Sequence, residues 1–189
     1  ISDKCQIRSS LFHNNNDIMY DVVIEPRMVF GTGYHTTTEL MIELLLKKNI
    51  KDNNVLDNGC GSGILSIIAS KMGAKSVIAL DIDEKAIDNT EYNCEMNDVK
   101  NVTTIVGSIE NIKLDNKFDV ILSNINKETV FKQITFYKDL LLEDGVLIIS
   151  GIREEDETDI LSEFNRYGMT RKFSYKKEGW LVFKFVRKS

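Results

Sequence analysis

One short stretch, residues 54–65, constrains what this chain can fold into more than any other. An apolar run ends on the carboxylate Asp57, three glycines follow at alternate positions (Gly59, Gly61 and Gly63), and an apolar pattern with helical spacing then begins. A strand, a tight glycine turn and a helix form the βα unit that binds a nucleotide-like ligand at the carboxyl end of a parallel strand. Glycine suits this turn because a residue without Cβ lets the main chain turn sharply and approach a ligand closely.

The spacing of the glycines narrows the choice of ligand. A dinucleotide fingerprint requires G-x-G-x-x-G, whereas here the third glycine comes one residue early and Ile64 takes the fingerprint position. The pattern D-x-G-x-G-x-G is typical of S-adenosylmethionine binding, so a nicotinamide-dependent oxidoreductase is disfavoured. A glycine turn after a strand is a weak signal by itself, and a purely structural turn is the alternative.

A second acidic residue supports the ligand-binding interpretation. Asp81 ends the next predicted strand, residues 76–81, close to the distance of roughly 20 residues at which a βαβ unit places an acid on a ribose. An ionised carboxylate can accept hydrogen bonds from both ribose hydroxyls, and each contributes roughly 1.5–3 kcal/mol. The alternative is an ordinary acidic residue at a strand end, with Asp83 and Glu84 capping the next helix. Together with the glycine turn, the position favours ribose binding.

Predicted strands and helices alternate along the chain. Helical spacing begins near Leu40, Ile64, Glu84, residue 127 and Glu154, and Thr36 to Thr38 lie at the start of the first of these helices, where hydroxyls usually act as caps. The helix over 84–97 has Ala86, Ile87, Tyr92 and Met96 as candidate inward residues. Other strands are predicted at 20–25, 102–106, 118–122 and 146–149, and two final runs, 172–176 and 180–185, predict an antiparallel hairpin. This alternation predicts an α/β fold with a mostly parallel sheet and helices on both faces.

Composition excludes several classes of protein. The chain has 189 residues, which fits one domain, and its formal net charge of −5 argues against binding nucleic acid by phosphate neutralisation but suits a basic protein substrate. Three separated cysteines and two histidines predict neither a disulfide framework nor a metal site. There is no apolar run long enough to span a bilayer and no secretory signal. We therefore expect a cytoplasmic protein with no direct nucleic-acid partner and no membrane partner; its oligomeric state is not predicted.

These motifs resemble those of the PrmA-type family, class I S-adenosylmethionine-dependent methyltransferases that methylate ribosomal protein L11. The resemblance covers the chain from about Tyr20 onward, and its most specific part is the loop that begins at Phe30 together with Asn124-Ile125. The matching segments are the F-G-T-G-x-H-x-T-T loop (Phe30 to Thr38), D-x-G-C-G-S-G-I-L (Asp57 to Leu65), D-I-D (Asp81 to Asp83), N-I (Asn124-Ile125), S-G-I (Ser150 to Ile152) and E-G-W (Glu178 to Trp180).

The resemblance implies a Rossmann-like class I methyltransferase fold with a mostly parallel seven-stranded sheet, helices on both faces and a C-terminal antiparallel hairpin. It implies S-adenosyl-L-methionine as the cofactor and amino groups of ribosomal protein L11, lysine side chains and/or the α-amine, as acceptors. Asn124 is the candidate catalytic residue, because its side-chain carbonyl can accept a hydrogen bond from the amine. The expected cofactor-binding residues are Thr38, Asp57, Gly59, Gly61, Gly63, Asp81, Ser108 and Asn124.

The chain departs from the family in a few places. The family usually has threonine and proline at the positions of Tyr34 and Thr36, and alanine at that of Lys127, all beside the expected substrate entrance. The family also carries an amino-terminal substrate-recognition domain. Residues 1–19 contain too few apolar side chains to form such a domain. We expect them to be the linker behind a recognition domain, and residues 20–189 to be the methyltransferase domain.

Methyl transfer from a sulfonium to an amine is an in-line displacement that depends mainly on positioning. The amine must be neutral to attack. An α-amine with a pKa of about 7.7–8 is easily neutral, whereas a lysine with a pKa of about 10.4 needs desolvation or carbonyl neighbours that lower its pKa. No Ser-His-Asp or Cys-His constellation is evident in the sequence. The alternatives are N-methylation of another protein, of an amide or of a base. Enzymes that methylate amides or bases use an N-P-P-[YF] motif at the position of Asn124, and here Asn126 and Lys127 offer neither the prolines nor the aromatic residue of that motif. A catalytically silent adenosylmethionine-binding module is a further alternative.

Overall fold

The computed structural model describes residues 3–12, 17–25 and 35–188. Within these residues, nine strands and five α-helices alternate over most of the chain. The elements are β1 (Cys5–Arg8), β2 (Tyr20–Val23), α1 (Thr36–Leu45), β3 (Asn54–Asn58), α2 (Ile64–Lys71), β4 (Ser76–Asp81), α3 (Glu84–Met96), β5 (Val102–Val106), β6 (Phe118–Asn124), α4 (Lys127–Leu140), β7 (Leu141–Arg153), a 3₁₀ turn (Glu154–Asp156), α5 (Glu157–Arg166), β8 (Met169–Lys177) and β9 (Trp180–Arg187).

The main sheet has seven strands in the order β5-β4-β3-β6-β7-β9-β8. The first five are parallel to their neighbours, whereas β9 pairs antiparallel with both β7 and β8. This architecture confirms the predicted α/β fold with its mostly parallel sheet and C-terminal hairpin. The strand order changes direction between β3 and β6, which is where open α/β sheets bind ligands, outside the carboxyl ends of the strands.

Apolar clusters cover both faces of the sheet. Alternate residues of one strand belong to opposite clusters: Val55 packs with Leu40 and Ile67 of α1 and α2, and Leu56 packs with Ile134 and Phe164 of α4 and α5. The two-residue period of a strand puts successive side chains on opposite faces, and helices on both sides leave neither face in water. Strands β3, β4 and β6 are therefore largely apolar runs that end in polar residues at the ligand-binding edge.

The first two strands form a small parallel sheet of their own. Cys5 of β1 pairs with Tyr20 of β2, and Cys5 is fully buried in the cluster that includes α1 and α2. The guanidinium group of Arg8 binds the carboxylate of Asp21 at 2.7 and 2.9 Å. The pairing crosses the domain boundary that we predicted at residue 19, since β1 lies before it and β2 after it.

Helix α3 packs differently from the sequence-based expectation. The prediction that Met96 faces inward is wrong, because its side chain is 40% exposed. Ala86 and Ile87 are buried as predicted, but Asn93 is fully buried as well. The spacing of apolar residues could not reveal this buried polar face. The face packs against main-chain groups, which polar side chains bind, as well as against apolar side chains.

Asn93 of α3 and Asn97, the residue that caps the end of this helix, bind the main chain at the end of β2. Asn97 donates from Nδ2 to the carbonyl oxygen of Val23 at 2.7 Å, and its Oδ1 accepts from the Val23 amide at 2.9 Å. One turn earlier, Asn93 Oδ1 accepts from the amide of Glu25 at 3.0 Å. These side chains do for β2 what a neighbouring strand would do, so buried main-chain groups have partners without a further strand.

None of the helices in the described parts of the chain could span a bilayer. Within the same residues there is no group of three or more His, Cys, Asp or Glu side chains that could hold a metal ion.

Candidate active site

A cavity of about 890 Å³ opens where β3, β4 and β6 end. It lies at the point where the strand order changes direction, which is the expected ligand position in this fold. Its volume is within the roughly 300–1,000 Å³ of small-molecule sites. The lining residues are His35, Thr37, Thr38, Asn58, Gly59, Cys60, Gly61, Ile64, Leu65, Asp81, Ile82, Gly107, Ser108, Asn124, Ile125, Asn126, Thr129, Gln133, Gly151 and Trp180.

The glycine turn forms one wall of this cavity. Gly59, Gly61 and Gly63 have φ angles of 79°, 56° and 77°, a left-handed conformation that other residues rarely adopt. The turn is tied to the end of β4, because the amides of Gly59 and Cys60 both donate to the carbonyl oxygen of Leu80, at 2.8 and 2.9 Å. Glycine therefore occurs at these three alternate positions because each of them has a positive φ, as the sequence pattern indicated.

Asp81 lies at the end of β4 and faces the cavity. Its Oδ2 accepts from the amide of Gly61 and its Oδ1 accepts from the amide of Asp83, both at 3.0 Å. Each carboxylate oxygen has a second acceptor site, so the side chain can also bind a pair of hydroxyl groups. The next residue, Ile82, is 77% exposed and lines the same cavity, where it offers an apolar surface to a planar ring.

Ser108 lines the cavity beyond Asp81 and follows Gly107 at the end of β5. Its hydroxyl oxygen is buried and has no hydrogen-bond partner within the described residues. Buried polar groups are normally paired, and one that faces a ligand cavity without a partner is suited to bonding the ligand. Ser108 thus fits the cofactor-binding role that we predicted for it.

Asp57 is buried and does not line the cavity. Its Oδ2 accepts from the hydroxyl of Ser66 in α2 at 2.6 Å, and its Oδ1 has no partner in the described parts of the chain. Burial raises the pKa of Asp57 to about 6; the hydrogen bond from Ser66 opposes that increase, and the negative charge of Asp81 adds to it. Asp57 therefore joins β3 to α2 next to the turn, instead of facing the space where a ligand fits.

The raised pKa of Asp57 predicts a pH-dependent stability cost. The folded protein holds this proton up to about pH 6, whereas the unfolded chain releases it near pH 3.9, so the cost is absent below about pH 4 and complete above about pH 6. Relative to the Asp57→Asn variant, the wild type should lose roughly 3 kcal/mol of unfolding free energy between about pH 4 and pH 8. Denaturant unfolding of both proteins at these pH values measures the difference, and a constant difference would contradict the prediction.

Asn124 and Thr38 meet on the opposite side of the cavity. Asn124 is the last residue of β6, and its Nδ2 donates to the hydroxyl of Thr38 at 3.3 Å. Thr38 lies in the first turn of α1 and is 3% exposed. Because the Asn124 amide nitrogen is used by Thr38, its Oδ1 is the atom that remains to accept a hydrogen bond from a ligand.

His35, not a threonine, is the N-cap of α1. Its Nδ1 accepts from the amide of Thr37 at 3.3 Å and lies 2.7 Å from the Thr37 hydroxyl. The prediction that hydroxyls of residues 36–38 cap this helix is therefore wrong. The Nδ1 atom is therefore engaged at the start of α1, and Nε2 is the ring nitrogen that remains to contact a ligand.

Another group of cavity residues was not found from the sequence. Asn58 Nδ2 donates to Gln133 Oε1 at 2.8 Å and to the Tyr137 hydroxyl at 3.0 Å, and Tyr137 also contacts the hydroxyl of Ser123 at 2.9 Å. Burial raises the pKa of Tyr137, so this hydroxyl is neutral. Asn126, the N-cap of α4, and Thr129 and Gln133 within α4 all line the cavity, and their helical spacing is the signal that could have identified this polar face.

The mouth of the cavity is bordered by the β8–β9 hairpin. The Trp180 ring meets the His35 ring edge-on with centroids 5.0 Å apart, and the guanidinium carbon of Arg153 lies 4.2 Å from the Trp180 ring centre. Thr36, one of the departures from the family, donates to Glu178 at 2.6 Å in the same hairpin. Tyr34, and the part of the predicted loop over residues 30–34, lie outside the described residues.

Most of the predicted cofactor-binding residues lie together. Asp57 and Gly63 are the two that do not line the cavity: Asp57 lies in β3 before the turn, and Gly63 is the N-cap of α2. The six that line it are Thr38, Gly59, Gly61, Asp81, Ser108 and Asn124.

Comparison with known proteins agrees with this architecture. The family described as "Ribosomal protein L11 methyltransferase (PrmA)" matches residues 1–188. The ribosomal protein L11 methyltransferase of Porphyromonas gingivalis is 36% identical over 186 residues, which cover 98% of this chain and 64% of that protein. That of Phocaeicola vulgatus is 34% identical over 188 residues, covering 100% of this chain and 67% of that protein. The chain thus spans about two thirds of the length of these curated relatives.

Solved structures give the same result. The ribosomal protein L11 methylase of Lactobacillus delbrueckii subsp. bulgaricus superposes with a TM-score of 0.92 at 28% identity, covering 100% of this chain and 97% of that chain. The crystal structure of a putative rRNA methylase of Clostridium thermocellum has a TM-score of 0.68 at 15% identity, covering 82% of this chain and 97% of that one, and shows the shared fold alone. The chain therefore has the class I methyltransferase fold and belongs to the ribosomal protein L11 methyltransferase (PrmA) family.

Proposed function

We propose that this chain transfers methyl groups from S-adenosyl-L-methionine to amino groups of ribosomal protein L11, at lysine side chains and/or the α-amine. The observation that carries the proposal is that one cavity holds both halves of the required site. The glycine turn, Asp81 and Ser108 suit a nucleoside, and the Asn124–Thr38 pair suits an amine. Membership of the family supports this substrate, and a ribosomal protein as substrate would place the chain in the cytoplasm.

The residues around the cavity fit the cofactor. Asp81 would accept from the ribose hydroxyls, Ile82 would cover one face of the adenine, and the hydroxyl of Ser108 would bond a ring or exocyclic nitrogen. The glycine turn lets the main chain approach closely. When bound, the cofactor supplies a methyl group on a positively charged sulfur. The sulfur is an excellent leaving group, because it departs as a neutral thioether when the bond to the methyl carbon breaks. The protein's own task is to orient and desolvate the two reactants.

Asn124 is the proposed residue for holding the acceptor. Its Oδ1 would accept one N–H of the amine, and Thr38 fixes the orientation of the amide through Nδ2. The lone pair of a neutral amine would then be free to attack along the line of the leaving group. His35 Nδ1 is engaged at the start of α1, so we assign the site the positioning of the amine and no proton transfer by this atom. An α-amine therefore needs less help to react than a lysine side chain.

The direct test is incubation of this chain with L11 and S-adenosyl-L-methionine, followed by mass spectrometry of L11. Mass increases in methyl steps on amino groups would support the proposal. A full-length relative serves as the positive control, because the curated relatives are longer than this chain. If that control modifies L11 and this chain binds cofactor without any transfer at high enzyme concentration, the silent binding module becomes the better hypothesis.

The division of the chain into a linker and a methyltransferase domain over 20–189 is part of the same proposal. If recognition of L11 depends on contacts outside this domain, transfer per enzyme at limiting L11 should be slower for this chain than for the full-length relative, with similar cofactor affinity. Equal rates would place recognition within these residues.

Replacing Asp81 by alanine should weaken cofactor binding by about 10–100-fold, because two ribose hydrogen bonds lose their charged acceptor. Isothermal titration calorimetry with S-adenosyl-L-methionine measures the change. Asp115→Ala is a suitable control, since Asp115 is an exposed residue paired with Lys113 and does not line the cavity. Wild-type affinity in the Asp81 variant would remove the ribose assignment.

A further inference from the structure

The segment from Asn124 to Lys127 is enclosed on several sides. The amide of Asn124 binds Thr38. The side chain of Ile125 approaches the glycine turn so closely that a Cβ on Gly59 would lie 2.5 Å from its Cγ2. Next along the chain, Asn126 caps α4 by accepting from the Thr129 amide at 2.9 Å. The segment that presents Asn124 to the cavity is thus held from the inside of the molecule.

Lys127 holds the same segment from the outside. Its Nζ donates to the carboxylate of Asp156 and lies 3.4 Å from Asp159 Oδ2. The side chains of Lys127 and Asp156 are only 24% and 22% exposed, so this pair is better shielded from water than an ordinary surface ion pair. The hydrogen bond to Asp156 raises the pKa of Lys127, which keeps it charged across the neutral range. The pair joins the start of α4 to the connection between β7 and α5.

Helix stability does not explain a lysine at this place. Lys127 is the first residue of α4, where a positive charge is unfavourable for the helix dipole. The two carboxylates that compensate the charge come from the 3₁₀ turn (Asp156) and from α5 (Asp159). Both elements follow β7, the strand whose Gly151 lines the cavity. The charge is therefore used to hold two neighbouring connections together beside Asn124.

We propose that Lys127 is a positioning residue for methyl transfer: its ion pair with Asp156 and Asp159 fixes the β6–α4 connection and thereby the Asn124 amide that receives the acceptor amine. The inference rests on the proposed function. It differs from that function in attributing part of the rate to a side chain that does not line the cavity. Asp81 and Ser108, the proposed contacts to the ribose and the base of the cofactor, take no part in this ion pair, so cofactor affinity should change less than the rate.

The test compares substitutions that separate charge from packing. Lys127→Met keeps most of the aliphatic stem and removes the charge, and it should lower kcat by about 10-fold while KM and cofactor affinity stay within about twofold. Lys127→Arg keeps the charge and should retain most of the rate. Asp156→Asn should reproduce most of the loss, because it leaves only the longer contact with Asp159. The double variant Lys127→Met/Asp156→Asn should be no slower than Lys127→Met, because that substitution already removes the contact with Asp156.

A matched control lies in the acidic stretch over residues 154–159, which also contains Asp156 and Asp159. Lys176 pairs with Glu154 at 2.5 Å and joins the stretch to β8, away from Asn124. Lys176→Met removes an ion pair of the same acidic stretch, although a more exposed one, and should leave kcat unchanged. An equal loss in the two methionine variants would overturn the proposal, because the effect would then be general to the acidic stretch.

Hydrogen exchange of the main-chain amides over residues 124–130 gives a readout that needs no substrate. Exchange in this segment should be faster in Lys127→Met than in the wild type and in Lys176→Met. If the wild type shows no transfer to L11, the proposed function fails, and the exchange comparison still decides whether Lys127 holds the segment. If the wild type transfers methyl groups and Lys127→Met matches it in both rate and exchange, the positioning role is disproved.

Discussion

Replacing Gly151 by alanine is expected to lower the rate of the proposed methyl transfer by about 100-fold or more and the free energy of unfolding by roughly 2 kcal/mol. Gly151 has a φ angle of +82°, and a Cβ there would collide with the carbonyl oxygen of Ile125 and lie 2.9 Å from its carbonyl carbon. These are main-chain atoms that cannot rotate away. The β6–α4 connection would have to move, and it would carry Asn124 with it.

Gly168→Ala separates this displacement from simple backbone strain. Gly168 also has a positive φ, +74°, but the nearest atom to an added Cβ is the flexible end of Lys138 at 3.5 Å. This variant should show a smaller loss of stability, from the backbone strain alone, with a normal transfer rate. Single-turnover kinetics and denaturant unfolding of both variants provide the comparison. If the two alanine variants have the same rate, the contact between Gly151 and Ile125 does not position the site.

Replacing Asn124 by alanine is expected to remove most transfer activity, by about 100-fold, with little change in melting temperature. The amine would lose the acceptor that orients it. The fold would lose only a 3.3 Å hydrogen bond from a half-buried side chain, for which a net contribution of about 1 kcal/mol or less is typical.

Thr38→Val is the matched variant, because it keeps the shape of the side chain and removes the hydroxyl that orients Asn124. It should give a smaller loss of rate than Asn124→Ala. Rates measured with saturating cofactor, together with thermal unfolding, separate positioning from folding. Unchanged activity in Asn124→Ala would exclude Asn124 from the site.

Much of the fold and part of the site could be predicted from local sequence patterns. Asp81 and Asn124 each end an apolar run, and parallel strands bring their carboxyl ends to one edge, so two residues 43 positions apart become neighbours of one cavity. The glycine turn could be recognised because its main-chain conformation restricts the residue type directly. These features depend on short segments whose geometry is the same wherever they occur.

The remaining features depend on contacts between distant segments. Trp180 could be placed in a motif but not beside His35, because that contact requires the hairpin to fold back over the start of α1. Gln133 could not be assigned to the cavity, because that requires knowing which face of α4 is turned toward it. Met96 was misplaced because a purely apolar period does not show that asparagines form the buried face of α3. Such faces are determined by what the helix packs against.

The asparagines of α3 also determine which substitutions the start of the chain can accept. Asn93 and Asn97 bind main-chain atoms of residues 23 and 25, and every residue except proline offers the same amide and carbonyl groups. The side chains at these two positions are therefore open to replacement as far as these bonds are concerned, whereas the asparagines are not. Proline alone is excluded there, and the one proline of the chain comes immediately afterwards, at position 26.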